Sequence, residues 1–199
     1  MPERIGDVEH QQWQIFQPKS MSPDGKWLVV EDPTPPTRNI GLLDSTGDRQ
    51  LKPLIEPGFI KDNPAVSPDG RWMAYQSNET GRNEIYVRPF PAIDRRWTIS
   101  TNGGERAVWS RNGRELFYVE PQGRLMAVRI EPGAEFSAGL PQLLFEGQFA
   151  APAGRAYDVA EDGRFLMMKT VSESESPTAS LIVVQNWTED LKRLVPITN

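Results

Sequence analysis

The sequence predicts an all-β chain built as a β-propeller of about four four-stranded antiparallel blades, with a short C-terminal helix. Three observations predict it. A short turn text recurs four times: Ser22-Pro23-Asp24-Gly25-Lys26-Trp27, Ser67-Pro68-Asp69-Gly70-Arg71-Trp72, Ser110-Arg111-Asn112-Gly113-Arg114-Glu115 and Ala160-Glu161-Asp162-Gly163-Arg164-Phe165, with starts 45, 43 and 50 residues apart. Such a period is that of stacked, similar supersecondary units. Each turn is followed by a run apolar on both alternating faces, as in a strand covered on both sides. A final, less apolar run closes the first three units, which suits an outer edge strand.

Within the turn, Pro23 and Pro68 preset φ, and Asp24, Asp69, Asn112 and Asp162 bond the local backbone. Gly25, Gly70, Gly113 and Gly163 supply positive φ at no steric cost. These ten positions are read as structural repeat turns. The repeated Asp first invites a metal or general-acid reading, but the copies sit on different units.

The first run of each unit is Trp27-Leu28-Val29-Val30, Trp72-Met73-Ala74-Tyr75, Leu116-Phe117-Tyr118-Val119 or Phe165-Leu166-Met167-Met168. The second runs are Asn39 to Leu43, Glu84 to Arg88, Leu125 to Arg129 and Ser180 to Val184, joined to the first by polar links such as Asn78-Glu79-Thr80-Gly81 and Pro121-Gln122-Gly123. The third runs are Gln50 to Ile55, where Pro53 fits only an edge, Arg96 to Ser100 and Gln142 to Phe145. A very short piece precedes each turn: Ala65-Val66, Ala107-Val108-Trp109 and Tyr157-Asp158-Val159 are examples. The chain reads as one domain or segment, residues 1–199, with blades at about 18–56, 63–101, 105–148 and 155–187. A short helix is expected over 188–196, capped by Asn186 and Glu189 and stopped by Pro196.

The fourth unit lacks an outer run, and Gln12-Trp13-Gln14-Ile15-Phe16 could supply it. Two architectures follow. Either four blades close through residues 12–16, or these are four blades of a six- to eight-bladed ring, in which case an apolar blade face is exposed and self-association is expected.

The turns and the segments Ile85 to Pro91, Ser100 to Glu105 and Trp109 to Tyr118 resemble TolB-type, WD-like propeller repeats, which also form C-terminal propellers of bacterial multidomain proteins. The resemblance spans about residues 20–187. It implies the blade fold and the turn positions, and carries no shared catalytic residues. Ala160-Glu161-Asp162-Gly163 departs by lacking Ser and Pro, and Ser110-Arg111-Asn112-Gly113 by lacking Pro and Asp, so both turns are expected to be less rigid.

Composition bounds the function. A net charge of −5 with scattered basic residues argues against a nucleic-acid surface. The absence of cysteine removes disulfides and thiolate chemistry without naming a compartment. No apolar run is long enough for a membrane span, and none near the N-terminus suits a signal peptide. The compartment stays unknown, periplasmic or extracytoplasmic if the parent resembles TolB or a membrane kinase sensor. The one histidine, His10, lies in a polar stretch, and the nucleophile-elbow, P-loop, dinucleotide and kinase motifs are absent. No catalytic, cofactor or metal residue is assigned, and no cofactor is expected. Arg95, Arg96, Trp97, Trp109 and Arg111 are the residue types of binding hot spots, although the Trp side chains are expected to pack between blades. The acidic tract Ser172 to Pro177 is expected to be a mobile loop.

The function expected is a non-enzymatic platform for a protein or peptide partner or for sensing, as the C-terminal part of a larger bacterial protein. The alternative is the regulatory or substrate-gating propeller of a Ser/Thr kinase or a prolyl-oligopeptidase-like enzyme whose catalytic domain lies outside this chain.

Overall fold

A computed structural model describes residues 16–34, 36, 38–47, 50–55, 58–92, 94–150 and 156–168, and the backbone of 181–184. It contains four successive antiparallel meanders. The first joins β1 (Gln17–Met21), β2 (Trp27–Asp32), β3 (Asn39–Asp44) and β4 (Leu51–Pro53); the second joins β5 (Lys61–Val66), β6 (Trp72–Ser77), β7 (Glu84–Pro89) and β8 (Trp97–Thr98). The third joins β9 (Glu105–Trp109), β10 (Glu115–Glu120), β11 (Arg124–Arg129) and β12 (Gln142–Glu146), and the fourth has three strands, β13 (Tyr157–Val159), β14 (Phe165–Met168) and β15 (Leu181–Val184). Each meander is one blade, and within each the strand before the turn is here called the inner strand. The expected fourth-blade outer strand, residues 12–15 with Phe16, the tract Ser172 to Pro177 and the helix over 188–196 fall outside the described residues, apart from Phe16 itself.

The chain divides into two compact units, Met1–Ala107 and Val108–Asn199. In the first, Val29 and Ile40 of blade 1 pack on Met73, Tyr75 and Tyr86 of blade 2 in one apolar cluster. In the second, Phe117 and Leu125 of blade 3 pack on Tyr157, Phe165 and Met167 of blade 4. There Phe117 and Phe165 meet edge-on at 4.9 Å, an aromatic contact that fixes the seam between the sheets.

The inner strands of blades 2 and 3 are longer than the short apolar pieces suggest. β5 begins at Lys61 and includes Asp62-Asn63-Pro64, where the register slips between Asp62↔Gln76 and Ala65↔Ala74. Asn63 takes φ +50° and Arg106, four residues before Ser110 as Asn63 is before Ser67, takes φ +56°. This bulge breaks the period-two pattern, which is why the sequence hides the first half of the strand.

Blade 4 departs from the expectation that every first-run strand is covered on both faces. β6 is buried along its whole length, whereas in β14 Phe165 and Met167 are buried and Leu166 and Met168 are exposed. A one-residue difference in the turn explains which residues face blade 3. Six residues separate the paired positions Met21↔Leu28 and Val66↔Met73, but five, Ala160 to Arg164, separate Val159↔Phe165. Since a one-residue slip turns every side chain to the other face, Phe165 occupies the place of Met73, although the turn text aligns it with Trp72.

Candidate functional site

The four turns share a hydrogen-bond core. Gly25, Gly70 and Gly113 each donate an N–H to the carbonyl of the serine three residues back at 2.9 Å, and Gly163 does so to Ala160 at 3.0 Å. Their φ values are +72°, +72°, +71° and +81°. Asp24, Asp69, Asn112 and Asp162 each accept, through Oδ1, the N–H two residues on, at 3.0, 3.1, 2.9 and 3.2 Å. Pro23 and Pro68 are exposed at the turn tips.

In three turns the serine adds a second lock. The hydroxyls of Ser22, Ser67 and Ser110 accept the N–H of Trp27, Trp72 and Glu115 at 2.8, 3.0 and 2.9 Å, and each donates to the Asp or Asn oxygen of its own turn. That donation, with the Lys26 amide, holds the Asp24 carboxyl below the usual carboxylate range. Ala160 has no hydroxyl to receive such an N–H. The extra residue that the serine accommodates is gone, and Ala160 donates to the Arg164 carbonyl at 2.8 Å, one residue earlier than in the other turns. The Ala160 turn is thus closed one residue earlier than the other three.

In the second unit these turns wall a cleft of about 370 Å³ lined by Arg111, Asn112 and Glu115 on one side and Val159, Ala160 and Glu161 on the other. A neighbouring hollow of about 270 Å³ shares Arg111, Val159 and Ala160 and adds Asp158, Arg164 and Leu166. Arg111 is exposed and, among the described residues, makes no ion pair, while Arg164 is tied to Asp162 at 2.7 Å. Burial pushes the Glu115 carboxyl above its ordinary range, against the opposing pull of Arg129. Among the described residues, the cleft and the hollow beside it therefore present an unpaired cation, Arg111, with the partly buried Glu115 on the cleft side and the exposed Leu166 on the other.

The other candidate contacts are already engaged. Arg96 is held by Glu79 and stacks on the Tyr86 ring at 5.0 Å, Trp97 meets Trp72 edge-on at 5.7 Å within blade 2, and Trp109 is buried. Arg95 is exposed.

At the strand ends opposite the turns, the first unit carries a polar row that the turn text does not announce. Glu31, four residues after Trp27, accepts the Asn63 N–H at 3.2 Å from the bulge of the next blade. Gln76, four after Trp72, repeats this by accepting the Arg106 N–H at 2.9 Å, and also takes the Asn63 side-chain amide at 3.1 Å. In the second unit the same position is Val119, which has no acceptor, and Ala156 is not among the described residues with positive φ. A polar acceptor four residues beyond the turn aromatic was the available sequence signal. It pairs with a residue some thirty positions on, so no local pattern exposes it.

Among the described residues no group of three or more His, Cys, Asp or Glu side chains could hold a metal ion, and no helix is long and apolar enough to cross a membrane.

No protein-family model matches the chain, and no curated protein matches it. Solved structures do. TolB from Acinetobacter baumannii matches with a TM-score of 0.63 at 17% identity, over 83% of this chain and 39% of that one. A putative TolB from Agrobacterium tumefaciens matches at 0.56 and 19%, over 69% of this chain and 51% of that one. A puromycin-hydrolyzing peptidase from Mycobacterium tuberculosis matches at 0.57 and 20%, over 77% and 28%. The chain thus spans from about a quarter to about half of the length of these neighbours. At such identities the likeness is one of fold, and the fold is a TolB-like β-propeller built of the four sheets described above.

Proposed function

We propose that the chain is a non-enzymatic interaction platform, part of a longer bacterial protein, and that it takes an extended peptide segment of its partner in the cleft between the Ser110 and Ala160 turns. The observation that carries this is the placing of Arg111, which makes no ion pair among the described residues, beside exposed Leu166 on walls whose backbone is locked by the turns. A rigid wall loses little conformational entropy on binding, so contacts made there convert into affinity. Arg111 suits a carboxylate, either a peptide terminus or an acidic side chain, and Leu166 suits an apolar side chain beside it. Function carried by surface turns on a rigid scaffold is the general habit of such folds.

Peptides displayed on phage and selected on the full chain test this. Enriched peptides, measured by fluorescence anisotropy, are expected to bind Arg111→Glu and Leu166→Lys at least ~10-fold more weakly, about 1.4 kcal/mol. Equal binding to both variants, or no enrichment at all, overturns the proposal.

A further inference from the structure

Two carboxyl groups meet at the seam between blades 1 and 2. Glu31, on β2, is 1% exposed, and Asp62, on the inner strand β5, is 7% exposed. Both reach the same backbone N–H, that of Asn63: Glu31 Oε2 at 3.2 Å and Asp62 Oδ1 at 2.7 Å. The residue that donates it stands at φ +50°, a conformation that needs support from its surroundings.

The charges around the pair come from every element that packs on it. From β1, Lys19 Nζ lies 3.3 Å from Glu31 Oε2; ahead of β3, Arg38 lies 2.5 Å from Asp62 Oδ2 and 3.9 Å from Glu31 Oε1. Lys61, on β5, donates to the Phe59 carbonyl at 3.2 Å, and β6 contributes only the neutral Gln76. Arg38 is about half exposed, so water weakens its hold. Two adjacent carboxylates out of water repel strongly, and one shared proton removes the conflict.

We propose that Glu31 and Asp62 share a single proton, carried by Glu31 and donated to Asp62, and that this acid pair is a pH-sensitive latch between blade 1 and the inner strand of blade 2. The electrostatics support it. Burial raises Glu31 most, and its hydrogen bond and repulsion with Asp62 add to this, so that its pKa reaches about 7 against the pull of Lys19 and the Asn63 amide. For Asp62, burial alone would act upward, but the Glu31 proton, the Asn63 amide, Arg38 and Lys19 together hold it below its ordinary value.

The sign follows from which state binds the proton more tightly. Glu31 is raised on folding, so its share of stability is complete below the ordinary 4.5 and is lost as pH rises through about 7. Asp62 is lowered, so its share is present above the ordinary 3.8 and is lost on acidification. The latch is firm in mild acid and loosens toward alkaline pH.

Carboxyl carbon NMR on the full chain tests the latch without any substitution. Glu31 is expected to titrate near pH 7. Protection of the Asn63 amide from exchange, corrected for intrinsic rates, should fall ~10-fold between about pH 5.5 and 8.5, the range that brackets its titration. Glu31→Gln, which keeps a neutral donor, should hold that protection flat across the same range. A Glu31 midpoint at or below 4.5, or the same pH dependence in the variant and the wild type, overturns the proposal.

Discussion

A serine hydroxyl that both accepts and donates decides how three of the turns are built. In Ser67→Ala the buried Trp72 N–H loses its acceptor, and such an orphan costs about 1–3 kcal/mol. Urea denaturation should show that loss, whereas Ala160→Ser should change stability by less than ~0.5 kcal/mol, because the turn there has no residue for the hydroxyl to hold. The glycines separate two effects. Gly25 and Gly70 share φ +72°, but a Cβ on Gly25 meets nothing within 4 Å while one on Gly70 meets Pro23 Cδ at 3.3 Å. Both changes to alanine should cost the ~1–2 kcal/mol of a left-handed conformation, and Gly70→Ala should cost more. These positions were legible in the sequence because Pro, Asp and Gly act within a few residues of themselves. Asn63 and Arg106 were not legible. Nothing near them demands positive φ; the acceptors that stabilise it, Glu31 and Gln76, lie on the preceding blade.

Strands were readable wherever both faces are apolar, and misread wherever parity changes. The identity of β14 was clear from Phe165-Leu166-Met167-Met168, but its facing was not, since the Asp-Gly text persists while the hairpin loses a residue. This gives a test of parity as distinct from composition. One serine inserted between Arg164 and Phe165 leaves the five-residue turn intact, places the serine opposite Val159, and so directs Phe165 and Met167 away from Phe117. The expected loss is about that of Phe165→Ala, ~3–5 kcal/mol, read by thermal melting. A melting temperature unchanged by the insertion would refute the slip as the cause of the facing. The outer strands were the least defined elements in the sequence, and they are short or exposed in the structure: β8 has two residues, and β12 leaves Gln142 and Leu143 exposed.

For the molecule as a whole, the repeat made the propeller class readable, and the structural neighbours agree in fold. The cleft was less so. Arg111 and Asp162 were visible as residues, but only the stacking of blades 3 and 4 sets their turns on opposite walls. The open side of β14 adds a further outcome. Leu166 and Met168 are 46% and 44% exposed, whereas Ala74 and Gln76, at the corresponding places of blade 2, are 0% and 7%. Sedimentation velocity should therefore show association that grows with concentration, and Leu166→Lys with Met168→Lys should abolish it at little cost in melting temperature. Persistence of the association in the double variant would place the contact elsewhere. The shortened hairpin also limits how such a chain can be copied and recombined. A crossover within the turn text, joining the first half of blade 2's hairpin to the second half of blade 4's, preserves reading frame and motif but hands β14's side chains to the wrong neighbours. The unit of exchange is the complete hairpin, with its breakpoints in the links between blades.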